Sequence, residues 1–581
     1  MAQKQPLKKP LQVQKPIAKV KETGSKTVAS GKNIFDFLEG HFTSKSNFYL
    51  IFLVLLACVF SFLCFDNKIS TANDDALYIE SGASYAKGFF SYFYLANAPL
   101  YPMILGVLIK IIGVKLFLLK LFSIVCFGLA IYFVFKAFEK RIPYIILIPA
   151  LLLTVINFPY LMYASLTYTE TFSLMVFSIC FVFLFKIFDK LDAENYSFKN
   201  NIPQFLLIGF LFFWMMITRN VALAAIGILA VFLIYRKKFL EAGVSVAGFG
   251  VFFVLYKLAL KFIWKIDGSQ FASQSKLMFQ KDAYQPQLGN ENYVGFINRF
   301  LENCQIYISS RFYYVLGFRE EMSTNSAALT VFSIGLLLWS LFLMHKKKQF
   351  TLIFITLFFS GLLATTFISL HTSWGQTRLI MLFLPFILFS FFYLFYYYGQ
   401  AFSFLQIAYP FVFFILFFVS IKTTLKQVKE RFPVFVENMT GDPTYGYTPD
   451  WQNYIKMSKW CAVNMPNQTR QIAVRKAPMS FIFSDGKEFY PVYNTPTVNP
   501  DSLLIPFRIS KVNYLMTCKL RIDPSRYIEN QFIGTMHRYA YYIQNKYPEA
   551  FQLIHIEGDI EEAELYKINW SYIDSVKTTN N

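Results

Sequence analysis

The sequence is short of charge. Charged residues fill 15% of its 581 positions, where a soluble chain carries about 25%, and the shortfall argues against an ordinary soluble fold. Nucleotide and hydrolase signatures are missing too: there is no Walker loop, no GxGxxG, no HExxH and no GxSxG. Without a phosphate-cradling glycine loop or a nucleophile elbow, any chemistry must draw on an activated substrate or a gradient. The seven cysteines form no CxxC and no zinc spacing, which argues against a thiolate metal centre. Cys58, Cys64, Cys126 and Cys180 fall in apolar runs, where a thiol acts as a small hydrophobe. Cys304 falls in a loop, and Cys461 and Cys518 in the tail are compatible with a disulfide and with two thiols alike.

What the chain has is apolar length. Hydrophobic residues make up 55% of it, with 69 Phe and 37 Tyr. Between Asn47 and Ile421 one apolar run follows another, and about 20 such residues cross a bilayer core as a helix. Eleven spans are predicted, at 47–65, 116–138, 142–158, 166–188, 203–218, 220–236, 242–263, 327–345, 350–370, 379–398 and 403–421. A net charge of +20 would point to nucleic acid in a soluble protein. Here the basic residues sit in short clusters between apolar runs, which is a topology signal and gives no nucleic-acid partner.

Those clusters orient the chain. Lys136, Lys140 and Arg141, then Lys186, Lys190 and Lys199, then Arg236 to Lys238, then Lys346 to Lys348 all fall on one side under this count. They share that side with the Lys-rich residues 1–32, read as an uncleaved basic tail because a full-length span follows it. The expectation is a multi-pass protein of the cell inner or plasma membrane in contact with membrane lipids. It comprises a mostly disordered cytoplasmic tail (1–46), a transmembrane module (47–421) and an extracytoplasmic α/β domain (422–581). Two outer loops, 66–115 and 264–326, are long. Residues 98–113, apolar but holding two prolines and Lys110, are expected to lie along the outer surface as a helix, and residues 296–318 are a second candidate for that arrangement. In the tail, 470–475 and 480–484 resemble strands and 536–548 a helix.

Polar residues at the outer helix ends are the candidates for chemistry. Asp74 and Asp75 open the first outer loop, where a carboxylate can take a proton from an incoming hydroxyl; a solvated loop start or a helix N-cap is the alternative. Glu170 opens the fourth span, a position where an ionisable group is costly and usually functional, or simply favoured by the helix dipole. Arg219 and Arg378 stand at outer helix ends, where the positive-inside rule does not call for them. A guanidinium fork matches phosphate oxygens, and snorkelling to headgroups is the alternative. His371, Lys87, Arg311 and Arg319 are further outer polar groups.

Taken in order, these pieces resemble the type C glycosyltransferase superfamily, nearest to family 39, which includes protein O-mannosyltransferases and lipid A aminoarabinose transferases. The resemblance rests on Asp74, Asp75 and Tyr78; on Pro99-Leu100-Tyr101-Pro102 before an apolar helix ending at Gly113; on Glu170; on the pair Thr218-Arg219; and on Arg378 followed by Pro385. It implies a type C helical bundle that moves a sugar, with inversion, from a polyprenyl-phosphate donor to a glycan, lipid or protein acceptor. Asp74 would be the general base, supported by Asp75, which is also the possible ligand of a divalent cation; no cofactor is certain. Arg219 and Arg378 would hold the lipid phosphate, and Tyr78 and Glu170 would line the same cavity. Asn97 and Ala98 stand where the aminoarabinose branch often carries a charged pair, so neither branch's acceptor is carried over.

Two other functions fit the layout. A lipid or solute transporter without covalent chemistry predicts dispensable loop acids and polar residues at mid-membrane. A cell-envelope assembly protein predicts an outer domain that works when severed from the spans.

Overall fold

The computed structural model describes residues 33–71, 73–266, 277–282, 286–321, 323–522 and 531–579. The basic stretch 1–32 and parts of the 264–326 loop lie outside the described residues.

Apolar runs become helices wherever water is absent to satisfy the backbone. The first eleven are α1 (Ile34–Ser44), α2 (Ser46–Leu63), α3 (Asp74–Lys87), α4 (Leu100–Ile112), α5 (Leu116–Phe138), α6 (Tyr144–Val155), α7 (Phe158–Ala164), α8 (Thr169–Leu191), α9 (Phe198–Thr218), α10 (Leu223–Tyr235) and α11 (Phe239–Phe262). Helices at Ala327–Lys346, Phe350–Ser369, Leu384–Gly399 and Ser403–Thr440 follow. Among the described residues eight helices are long and apolar enough to cross a membrane, or nine if the bent pair α6–α7 is one span. The protein is therefore a polytopic helical membrane protein.

The count differs from the eleven expected, for local reasons. The apolar run 142–158 breaks by 63° between α6 and α7, where the Asn157 side chain caps α7 by accepting from Tyr160 N at 3.3 Å. Thr424 Oγ1 donates to the Ile156 carbonyl at 2.6 Å, which satisfies the acceptor that the break releases. Leu223–Tyr235 is 13 residues long because a 3₁₀ turn occupies Asn220–Ala222. Leu384–Gly399 is 16 residues long, since Pro385 suits a first turn and not an interior.

The ends of the bundle are distinct. Arg141, just past α5, pairs with Asp189 in the last turn of α8, and Arg236, just past α10, pairs with Asp192. Glu39 of α1 accepts from the backbone N–H of Tyr144 and Ile145, at 2.9 and 2.8 Å, at the start of α6. Glu170 and Thr218 lie at the opposite ends of α8 and α9.

The run 98–113 is indeed helical, as α4, and it lies against α3. Gly82 and Gly106 make that approach possible: a Cβ on Gly82 would meet Leu105 Cβ at 2.9 Å, and one on Gly106 would meet Tyr85 Cβ at 2.6 Å.

The 38-residue helix Ser403–Thr440 is about 57 Å long, against a hydrocarbon core of about 30 Å, and its later turns lead into a small mixed domain. There β1 (Ile472–Val474), β2 (Tyr490–Pro491), β3 (Tyr514–Cys518), β4 (Phe551–Glu557) and β5 (Ala563–Ile568) form one sheet in the order β2-β1-β3-β5-β4. β1 runs parallel to β2 and β3, and the remaining pairs are antiparallel. The expected helix at 536–548 is found at Thr535–Lys546. The run 480–484 is not a strand; it forms the end of the helix Ala477–Phe483, which has Pro478 in its first turn, Ser484 as its C-cap, and is buried on nearly every face. A short, wholly buried apolar run carries no periodicity that separates the two. Cys461 and Cys518 are both free, and the Cys518 thiol donates to the Asp450 carbonyl at 3.2 Å.

Candidate functional site

The segment that leaves α2 is pinned before it reaches the two aspartates. Lys120, the single cation among the first twenty residues of α5, is fully buried and donates to Asp66 Oδ1 at 2.9 Å and to the carbonyls of Asp66 and Lys68 at 2.5 and 2.6 Å. Arg431 donates to Asp66 Oδ2 at 3.1 Å. Burial alone would raise the Asp66 carboxyl; Lys120 and Arg431 outweigh it and hold the group down to about 2.

The adjacent aspartates then part company. Asp75 is fully buried. Its Oδ2 accepts from Ser70 N at 2.9 Å, and its Oδ1 accepts from Ser70 Oγ at 2.9 Å and from Ala76 N at 3.0 Å. Burial raises its pKa and these hydrogen bonds oppose the rise. Asn73 takes up the left-handed conformation, φ 74°, which Asn tolerates better than most residues. Successive helical residues point about 100° apart, so with Asp75 turned inward Asp74 points elsewhere, its side chain 44% exposed. There Arg378 Nη2 donates to Asp74 Oδ2 at 2.8 Å, and the guanidinium lies over the Tyr168 ring at 5.0 Å. The Tyr168 hydroxyl closes the circuit by bonding to Ser70 Oγ at 2.9 Å.

A second pair lies deeper. Arg219, the residue that ends α9, donates through Nη1 to Glu170 Oε1 at 3.3 Å. Glu170 is 1% exposed; its Oε2 is buried and accepts no hydrogen bond among the described residues, and the Tyr160 hydroxyl is in the same state. Asn220 Nδ2 donates to Asn97 Oδ1 at 3.3 Å, joining the Arg219 turn to the loop before α4.

Tyr78 links the two pairs. Its ring is buried edge-on against Tyr101 at 5.5 Å. Burial pushes its phenol up to about 12, and the charges acting on it are those of Arg378, Glu170, Asp74 and Arg219. Residues spread across 304 positions of chain thus meet at one place. Among the described residues each arginine places one N–H on a carboxylate, and a guanidinium has five.

Compared with protein-family models and with curated proteins, the sequence finds no match.

Both oxygens of Asp75, the candidate ligand of a divalent cation, accept from donors of its own turn. The weaker candidates hold other loops. Arg319 donates to the carbonyls of Ser309 and Thr324 at 2.9 and 2.8 Å, and His371 bonds the Leu277 carbonyl at 2.8 Å. His371 also borders a separate polar cavity of about 360 Å³ with Arg299, Glu291 and Asn298.

Sequence reasoning missed the clamp of Asp66, Lys120 and Arg431. A lone Lys among the apolar residues of α5 was the available signal. It also missed the face that α3 turns toward the small mixed domain, where Lys87 meets Glu488 at 2.7 Å. Burial, and then Glu488, raise the Glu80 carboxyl there to about 7, against the pull of Lys87. A raised carboxyl favours the folded state fully below its ordinary value near 4.5 and loses that contribution as pH rises through about 7. Glu80→Gln is therefore expected to gain thermal stability relative to the parent between pH 6 and pH 8, read by unfolding scans at both; a pH-independent difference would contradict this.

Proposed function

We propose that this chain is a type C glycosyltransferase acting on the outer face of a cell membrane, resembling family 39. It would move a sugar from a polyprenyl-phosphate donor to a hydroxyl-bearing glycan, lipid or protein. The observation that carries this is the meeting of Asp74, Glu170, Arg219 and Arg378 around Tyr78, the residues on which the sequence resemblance rests.

In the proposed reaction the acceptor hydroxyl gives its proton to Asp74 as its oxygen attacks the anomeric carbon. The bond from that carbon to the phosphate oxygen breaks, and polyprenyl phosphate departs with the electron pair. Arg378 and Arg219 neutralise the charge that develops on it, since a preorganised cation costs no reorganisation at that moment. Attack opposite the leaving group inverts the centre. In the absence of donor the Arg378–Asp74 pair holds both side chains in place; phosphate drawing Arg378 away would free Asp74 to act as base. Asp75 takes no part in proton transfer and sets the start of α3.

Replacing Arg378 with Ala is expected to weaken donor binding by about 1.5–3 kcal/mol, the worth of a charge-assisted hydrogen bond. Lys is expected to restore it only in part, because the fork is lost. Titration of the variants with a polyprenyl-phosphate sugar checks this, and unchanged affinity would make Arg378 a snorkelling residue.

The orientation belongs to the same proposal. Eleven crossings, counting the two short helices and the bent pair, put the N-terminus in the cytoplasm and the sheet domain outside. A cysteine placed near Asp485 is expected to react with an impermeant thiol reagent in intact cells. Labelling only after permeabilisation would reverse the orientation.

A further inference from the structure

The loop that carries the two aspartates is held from the far end of the chain. Tyr447, 378 positions away, receives Ile69 N–H on its hydroxyl at 2.7 Å and donates the same hydroxyl to the Ile69 carbonyl at 2.8 Å. Lys68 Nζ donates to the Gly446 carbonyl at 2.9 Å. Lys476, at the head of the helix Ala477–Phe483, donates to the Thr71 carbonyl at 2.7 Å. That helix rests on α3, and Lys476 is itself held in the small mixed domain, with its backbone N–H on the Tyr454 hydroxyl at 3.1 Å and its ammonium 5.6 Å from the Trp451 ring centre. Between Ile69 and Thr71 sits Ser70, the residue whose N–H and hydroxyl fix Asp75 and so turn Asp74 toward Arg378.

We infer that the small mixed domain is a working part of the site: Tyr447 and Lys476 are positioning residues that hold the 69–71 segment, and through Ser70 and Asp75 they set the direction of Asp74. The consequence for catalysis rests on the proposed transfer reaction; the hold on the loop does not. Burial and the neighbouring Arg475 depress the Lys476 ammonium to about 8, with Asp74 and Asp75 opposing them. That is the mark of a cation kept in an unfavourable place by what it holds.

The test uses the full-length protein in detergent with Tyr447→Phe, Lys476→Met and Lys476→Arg. The first keeps the ring and loses both hydrogen bonds, the second keeps the apolar stem and loses the donor, and the third keeps the charge. Hydrogen exchange across residues 66–71 is expected to quicken by about tenfold to a hundredfold in Tyr447→Phe, about tenfold for each of the two hydrogen bonds lost, and to quicken in Lys476→Met. With a radiolabelled polyprenyl-phosphate sugar, both variants are expected to lose about 10²-fold in kcat, as a site group misplaced by about 1 Å does, with the donor KM unchanged. Lys476→Arg is expected to recover most of that loss. Unchanged exchange in both variants would overturn the hold on the loop. Faster exchange with unchanged kcat would overturn the link to Asp74. If the parent protein itself consumed no donor, the transfer reaction would fall while the exchange data still decided whether the small mixed domain holds the loop.

Discussion

Replacing Asp74 with Asn is expected to lower turnover by about 10²–10⁴, the usual worth of a general base, while donor affinity is kept. Asn has the size of Asp and still accepts a hydrogen bond from Arg378, so the 2.8 Å contact can persist; what is lost is a carboxylate able to take a proton. Donor affinity should hold or improve, because an anion beside the phosphate site is removed. Asp75→Asn has a different expected signature. One oxygen becomes an N–H₂ facing Ser70 N–H, Ser70 Oγ–H or Ala76 N–H, so a buried donor meets a donor, and stability falls together with turnover. Measuring turnover, donor affinity and unfolding midpoint for both variants separates base from scaffold. Normal turnover in Asp74→Asn would remove Asp74 as base, and loss in Asp75→Asn alone with unchanged stability would exchange their roles.

The largest stability effect is expected at Lys120. Lys120→Met keeps the apolar stem of the side chain but leaves a carboxylate oxygen and two carbonyls without their shared donor. Removing one member of a buried ion pair costs about 3–5 kcal/mol, and Arg431, still on Asp66 at 3.1 Å, places the loss toward the lower end. The pH dependence has a definite sign. Asp66 is held down to about 2, so its contribution is complete above the ordinary carboxylate value near 3.8 and is lost as pH falls toward 2. The Asp66→Asn, Lys120→Met double variant is expected to recover part of the single-variant loss, since no carboxylate is then left short of partners. An unchanged denaturation midpoint in Lys120→Met would show that Arg431 alone neutralises Asp66.

The level of the site along the helices was legible in the sequence; its pairings were not. Glu170, Arg219 and Arg378 all border apolar runs, and the edge of such a run marks a helix end, which placed them at one height. Which arginine meets which acid depends on how α3, α8 and the 378–399 segment sit side by side, and no one-dimensional pattern carries that. The choice of Asp74 over Asp75 as base came from the resemblance and not from any local pattern. That Asp75 is the inward one followed only from Ser70, a residue with nothing in the sequence to single it out. The grip of Tyr447 and Lys476 on a loop about four hundred residues earlier left no local trace either. The run 480–484 misled because its apolar residues are buried all round, so the pattern that separates strand from helix is erased. The two short helices at 223–235 and 384–399 were visible as apolar runs of full length, and a 3₁₀ turn at Asn220 and the first-turn Pro385 shortened them.

The most direct measurement is consumption of the donor. Purified full-length protein in detergent is incubated with polyprenyl-phosphate sugars carrying a labelled sugar, and lipid-soluble label is followed with time beside the Asp74→Asn variant. The account predicts release of polyprenyl phosphate and loss of label from the lipid phase in the parent, abolished or slowed about 10²–10⁴-fold in the variant. Donor that binds with Arg378-dependent affinity yet stays intact in the parent, across the sugars and acceptor classes offered, would contradict it and leave a lipid carrier without covalent chemistry.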